Sequence, residues 1–155
     1  MIFLVSVGKA LTVVHVLAAM VMLGAVTHQA VVARRALGGR LNLRLAGIYG
    51  VTGLLACAVT TALGAVIYPT YRYHVRGQYL DHCAVGMSKL FDVKEDFAVF
   101  ALLVATVVWL AVRGLERTSS REHLWIYAGS AYALAGLVWF NSLSGFVITL
   151  TRGVP

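Results

Sequence analysis

Residues 10–33, ALTVVHVLAAMVMLGAVTHQAVVA, run for 24 positions between Lys9 and Arg34 without a formal charge. At about 1.5 Å per residue, a helix of this length crosses the ~30 Å hydrocarbon core of a bilayer. The apolar stretch at the N-terminus includes Lys9, and no basic residue precedes it. No A-x-A-like cleavage site leads into a soluble domain. We therefore interpret this stretch as an uncleaved first transmembrane helix and not as a signal peptide.

Three further uncharged stretches predict three more spans. Residues 45–71 are uncharged and end where Pro69 stops a helix and where tyrosines suit the headgroup region. Residues 97–112 give only about 24 Å of helix, so we expect this span to begin earlier and to carry charged side chains at the interface. The prediction is a single-domain, all-α, integral membrane four-helix bundle, with spans at about 8–34, 45–69, 92–113 and 122–151 and an outer connection at 70–91.

The overall composition favours a membrane protein and excludes other classes. Of the 155 residues 60% are hydrophobic and 12% are charged, which is more apolar surface than a soluble domain of this size can bury. We interpret the net charge of +7 as a topology signal at helix ends, and we exclude nucleic-acid binding. The first connection contains no acid and four arginines, Arg34, Arg35, Arg40 and Arg44. This bias predicts that the connection is cytoplasmic, which gives an N-out, C-out orientation. We expect the membrane to be a bacterial inner (plasma) membrane.

Histidines are the first candidates for chemistry, because an ionisable side chain inside a span is costly. His15 and His28 lie thirteen residues apart on the first span, about 20 Å along its axis, which places one near each face of the membrane. Membrane b-type cytochromes use two histidines of one helix in this way, each binding the iron of a different haem. Here the two side chains are roughly 140° apart around the helix, which argues against such a pair. The candidate partners are His123 for His28, and His74 or His82 for His15.

Some of these histidines also have plainer interpretations. His123 is equally a solvated residue at a helix start, and His28 an interfacial polar residue. The interiors of spans three and four contain no histidine, which argues against an ordinary two-haem bundle.

Basic residues near the outer end are candidates for pairing with haem propionates. Lys94, Glu95 and Asp96 open the third span, and because consecutive residues step by about 100° around a helix, at least one should point into the bundle. A buried Lys94 would bind a propionate or carry a proton, whereas an interfacial one would extend to the headgroups. Arg72 and Arg76 form a basic edge suited to propionates, anionic lipid or an acidic partner.

Other residues offer weaker possibilities. His82, Cys83 and Met87 are soft-ligand types that suit copper, which is the alternative metal site. Two cysteines without a C-x-x-C-H motif exclude a disulfide framework and a covalently attached c-type haem.

Asn141 of span four is expected to make an interhelical hydrogen bond. Span two carries a stripe of small residues that admits a neighbouring helix or a flat cofactor: Gly50, Gly53, Cys57, Thr61 and Gly64.

Two short motifs carry a family resemblance. Residues 9–25, KALTVVHVLAAMVMLGA, are similar to the first-helix pattern of the copper-resistance D and HemJ-type protoporphyrinogen oxidase group of small membrane proteins, in which a histidine precedes an apolar stretch and a glycine. In that group the third helix begins with a lysine, and Lys94 in KLFDVKEDFA fits the position. The resemblance covers about two helices and implies a four-helix bundle in which His15 and Lys94 face a haem or porphyrin.

Three functional hypotheses follow. The first is a haem-b-binding or redox-linked subunit that transfers electrons within the bilayer, with quinone as a candidate partner; if enzymatic, it is a membrane oxidoreductase or a subunit of one. The alternative is a cofactor-free accessory subunit of a larger respiratory or transport complex, which the absence of hydrolytic, nucleotide-binding and closed zinc motifs favours. In both cases we expect contacts with lipid and with other membrane subunits or a second copy. A small metal-handling transporter is a third, weaker hypothesis.

Overall fold

The computed structural model describes residues 7–118 and 120–151, which form four long helices. These are α1 (Gly8–Leu37), α2 (Leu43–Tyr71), α3 (Val85–Arg117) and α4 (Arg121–Thr151). Each of the four is long and apolar enough to cross a membrane, and the described residues include no strand. The prediction of an all-α chain with four such helices is confirmed.

The helices extend beyond the apolar runs from which the spans were predicted. The prediction that Pro69 stops the second helix is wrong, because Pro69 lies inside α2. The helix continues without a break into a π-helical segment, Arg72–Leu80, and a last turn, Asp81–Cys83. Helix α3 begins at Val85, so that most of the stretch expected to connect spans two and three is helical. A charge-free run indicates how much helix suits a bilayer, whereas capping and packing decide where the helix ends. Asn42 is an example, since its side chain accepts a hydrogen bond from Leu45 N at 3.0 Å and starts α2.

The four helices pack in a ring in which sequence neighbours are spatial neighbours. Helix α1 packs against α2 and α4, and α3 packs against the same two helices, so α1 and α3 lie diagonally. The core contains many alanines, which allow the helix backbones to approach closely. We call the end of the bundle at which α1 ends and α2 begins the turn end, and the opposite end the outer end; α3 ends and α4 begins at the turn end as well.

A second, smaller core closes the outer end. Val75 and Leu80 of the π-helical segment are fully buried against Phe91 of α3 and Ile148 of α4. Tyr71 stacks on Phe91 with ring centroids 4.8 Å apart. We call this group of side chains the outer cap. A π-helical stretch frequently marks a functional site, and here the stretch packs on Phe91, beside which Lys94 lies.

Ionic contacts fix the π-helical segment to the start of α3. The guanidinium of Arg76 donates to both carboxylate oxygens of Asp92, and its Nε lies 3.5 Å from Asp81 Oδ1. Ser88 in turn donates to Asp81. The segment is therefore held by paired charges in addition to the apolar contacts of the outer cap.

Candidate functional site

His15 lies in the outer half of α1, against α2. A β-carbon built on Gly64 would lie 3.4 Å from His15 Cε1 and 3.9 Å from Nδ1, so the missing side chain at position 64 makes room for the imidazole. The Nδ1 atom is buried and makes no hydrogen bond of ordinary geometry, and the backbone of Thr60 is the polar group that interacts with the ring from α2. His15 thus places a nitrogen with a free bonding position inside the bundle, and this is the property that a ligand-binding histidine needs.

Lys94 extends from α3 toward α4. Its Cε lies 3.1 Å from a β-carbon built on Gly145, and its Nζ lies 5.9 Å from the centroid of the Phe91 ring. No ion pair joins Lys94 to an acidic residue within the described ranges. Lys94 is also one of the groups that act electrostatically on His15. The packing therefore brings the imidazole of α1 and the ammonium of α3 into one region of the bundle, beneath the outer cap.

Two further polar atoms complete this region. Thr60 Oγ1 and Asn141 Oδ1 are buried without a hydrogen-bond partner, and each lies four residues before one of the two glycines, on the same helix face. We call His15, Thr60, Lys94 and Asn141 the outer polar site; each of the four helices contributes one of its members. Buried polar atoms left unpaired are costly in an apolar medium, so a cluster of them indicates a place where water or a ligand supplies the missing bonds.

The stripe of small residues on α2 faces α1 along its length. A β-carbon on Gly53 would lie 3.7 Å from Val26, and one on Gly50 would lie 3.7 Å from Gln29 Nε2. Cys57, between them and Gly64, is buried. Ordinary close helix packing accounts for the turn-end part of the stripe, whereas Gly64 contacts His15 of the outer polar site.

His28 and His123 lie near the turn end, as expected, but against different helices. His28 is exposed, its Nδ1 is 2.8 Å from the Gly24 carbonyl oxygen, and its ring stacks on Tyr49 of α2 at 5.2 Å. His123 has its Nδ1 2.6 Å from Ser120 Oγ, and its Cδ2 lies 3.0 Å from a β-carbon built on Gly114 of α3. The structure therefore gives each imidazole its own local partners and does not bring the two together.

The remaining candidates lie in or beside the π-helical segment. His74 contacts the edge of Tyr73 at 5.0 Å, and its Nε2 is buried without a partner. It is ten residues beyond Gly64 on a continuous helix, about 15 Å farther along the axis than His15. The guanidinium of Arg72 lies over the ring of Tyr68, 5.8 Å from its centroid. Neither residue is part of the outer polar site.

The soft-ligand residues of the outer connection do not converge. His82 and Cys83 are exposed in the last helical turn after the π-helical segment, whereas Met87 packs into the outer cap. In the part of the chain that the structure describes, no three His, Cys, Asp or Glu side chains are grouped as a metal site would require.

The donor set of the outer polar site is compatible with one face of a haem. His15 supplies an imidazole nitrogen, and Lys94 supplies a positive charge for a propionate. No second imidazole lies beside His15, because His28 is on the far half of α1 and His74 is well beyond the site. The outer polar site therefore offers one imidazole to a haem iron, and it lacks the second imidazole that a bis-histidine haem needs.

The sequence predicted His15 and Lys94 as site residues but not Thr60 or Asn141. Asn141 carries a signal in the sequence, an amide within an apolar span, but this signal favours an interhelical hydrogen bond, and its Oδ1 makes none. Thr60 carries none, since threonines are common in such helices. No family model matches the chain, nor does any curated protein or solved structure, so the resemblance to the copper-resistance D and HemJ-type group remains a prediction from two motifs.

Proposed function

We propose that this chain is an integral membrane protein that spans the bilayer four times, N-out and C-out, and binds haem b at the outer polar site as part of a redox reaction within the membrane. The length and hydropathy of the four helices support insertion. The arginines of the first connection support the orientation. A bacterial inner membrane is the expected location.

The observation that carries the haem proposal is the position of His15. An imidazole nitrogen without a partner is costly in a membrane span, and a haem iron is a group that supplies the missing bond by accepting the nitrogen as its ligand. Gly64 leaves the room that this imidazole occupies, and Lys94 reaches the same region from the diagonal helix. These three residues come from three different helices, so the arrangement depends on the whole fold.

The residues of the chain would have distinct roles. His15 would hold the iron, Lys94 would neutralise a propionate, and the surrounding helices would keep water out. Haem b, when bound, supplies a reversible one-electron couple, whose potential depends on ligation, burial and neighbouring charge. Quinone is the partner of matching chemistry within the bilayer.

The test is a spectrum of protein purified in mild detergent from haem-supplemented cells. We expect a Soret band, about one haem per chain in a pyridine haemochrome assay, and the spectrum of a haem with a single histidine ligand. His15→Ala should abolish the band and Lys94→Met should weaken it, whereas the control His28→Ala should leave it intact. A folded sample without a Soret band would refute the haem proposal and favour the cofactor-free accessory subunit, which would then copurify with larger membrane partners.

A further inference from the structure

A groove at the turn end is independent of the outer polar site. It lies where α1 ends and the chain turns toward α2, and its volume is about 420 Å³. Its lining consists of Val31, Arg34, Arg35, Gly38 and Arg40. The groove is shallow and open to the surroundings of the bundle, so it suits a ligand that approaches from the side or from the end.

No carboxylate in the described part of the chain compensates the charge of this groove. Arg34, Arg35 and Arg40 are all exposed. The ion pairs within residues 7–118 and 120–151 involve Arg76 and Arg113, so none of the three groove arginines has a carboxylate within 4 Å in that part of the chain. Three guanidinium groups around one groove create a strong local preference for an anion.

The backbone of the turn assembles these arginines. Gly39 has a φ of +79°, a conformation that glycine adopts without strain, and the amide of Arg40 then donates to the Arg35 carbonyl oxygen at 2.9 Å. This turn brings Arg40 back beside the last turn of α1. A β-carbon on Gly38 would lie 3.4 Å from the Arg35 carbonyl oxygen, so the glycine lets the turn pack closely against the end of α1.

The apolar side of the groove defines the chemistry of the ligand further. Val31 lies one turn before Arg34 and Arg35 on α1, toward the middle of the helix, and its side chain is 45% exposed. A ligand that fills the groove thus meets positive charge at the helix end and an apolar surface on the membrane side. This polarity matches a phospholipid, with its phosphate at the interface and its acyl chains below.

We propose that this groove is a binding site for the phosphate headgroup of an anionic phospholipid, with an acyl chain packed along Val31. The proposal rests on the membrane insertion proposed above but not on haem binding. Guanidinium groups donate paired hydrogen bonds to phosphate oxygens, and three positive charges favour a headgroup with a net negative charge over one in which a choline cancels the phosphate charge. Inorganic phosphate shares the charge but not the acyl chain.

Native mass spectrometry of the detergent-purified protein tests the site, with phosphatidylglycerol, phosphatidylcholine and inorganic phosphate as separate probes. We expect one phosphatidylglycerol to bind at least about tenfold more tightly than phosphatidylcholine. The variant Arg34→Gln/Arg35→Gln/Arg40→Gln should lose this preference. The control Arg113→Gln/Arg117→Gln/Arg121→Gln removes the same charge at the turn end outside the groove, and it should keep the preference.

Several outcomes would overturn the site. If both triple variants lose the preference for phosphatidylglycerol equally, the preference is a general effect of positive charge. If equimolar inorganic phosphate displaces the lipid, the groove is a phosphate site without an acyl-chain contribution. The haem spectrum of the same samples keeps the two proposals separate, because the groove variant should retain its Soret band. If insertion itself is wrong, alkaline carbonate should release the wild-type protein from membranes. Because the arginines also influence orientation in the membrane, the measurement is made in detergent, where orientation does not affect lipid binding.

Discussion

The imidazole of His15 packs against the backbone of Gly64, so closely that a β-carbon at position 64 would lie 3.4 Å from Cε1. This distance is ordinary van der Waals contact for one methyl group, but it leaves no room for a larger side chain. The contact therefore sets how deeply the imidazole enters the α1–α2 interface. It also makes Gly64 a means of displacing His15 without altering any atom of His15 itself.

The larger the side chain that replaces Gly64, the more it should displace the His15 imidazole and reduce haem binding. Gly64→Ala should keep the fold and most haem, because the added methyl group fits and alanine favours a helix over glycine by about 1 kcal/mol. Gly64→Leu should displace the imidazole and remove most of the Soret absorbance. Gly47→Leu, at a glycine of the same helix with open space around it, is the matched control. Equal haem content in the two leucine variants would argue against His15 as the ligand.

Lys94 and Gly145 allow a second test of the site from the opposite helix. A β-carbon on Gly145 would lie 3.1 Å from Lys94 Cε, so Gly145→Ala should push the lysine side chain aside by a few tenths of an ångström. We expect a shift in the haem reduction potential in the same direction as that of Lys94→Met, but smaller, with little change in Tm. Gly136→Ala, on the same helix with nothing nearby, should change neither quantity. Potentials that match the wild type in Gly145→Ala and Lys94→Met would exclude Lys94 from the haem environment.

The sequence predicted the number and character of the helices well, because the length of a charge-free apolar run is a local property. It did not predict that residues 72–83 continue α2. Their side chains are largely polar, and the segment is held by distant partners, such as Asp92 for Arg76 and Phe91 for Val75. Contacts of this kind depend on tertiary packing, which local patterns do not reveal.

The site shows the same limit. His15 and Lys94 were detectable because charged and ligand-type residues in a span are rare and costly. Their approach to one another could not be derived, since it depends on the rotation of α1 and α3 about their axes. His28 and His123 illustrate the reverse case. Both lie near the turn end as expected, yet Tyr49 and Ser120 hold their rings against different helices.

Gln29 is a buried amide for which the protein provides no partner. It is 1% exposed, neither Nε2 nor Oε1 has a hydrogen-bond partner, and it lies beside Gly50 of α2. Because an unpaired buried polar group costs about 1–3 kcal/mol, Gln29→Leu should raise the Tm measured in detergent. Gln29→Glu should lower it, since it introduces a buried charge. Gln78→Leu, at an exposed position, should have little effect.

A decrease in Tm for Gln29→Leu would have a specific meaning. It would show that the amide is paired in the membrane by water or a ligand that leucine cannot replace. Such a result would identify the turn half of the bundle as a second internal polar site.

The contact between Arg76 and Asp92 leads to a prediction about the outer cap. Arg76 Nη2 lies 3.1 Å from Asp92 Oδ2, and the same guanidinium also approaches Asp81. Asp92 is half exposed, so Asp92→Asn should cost no more than about 1 kcal/mol and should change Tm little. The effect should instead be local: opening of the π-helical segment should become up to about fivefold more frequent. Limited trypsin digestion, monitored at Arg72 and Arg76, measures this opening.

The control for this experiment lies one turn farther along α3. Asp96→Asn removes the same charge from an exposed carboxylate that has no ion pair within the described ranges, so its digestion rate should equal that of the wild type. Because the contact is electrostatic and partly exposed, about 1 M salt should accelerate digestion of the wild type and leave Asp92→Asn nearly unchanged. If Asp92→Asn and Asp96→Asn are cleaved at the same rate, the apolar contacts of Val75, Leu80 and Phe91 alone hold the outer cap closed.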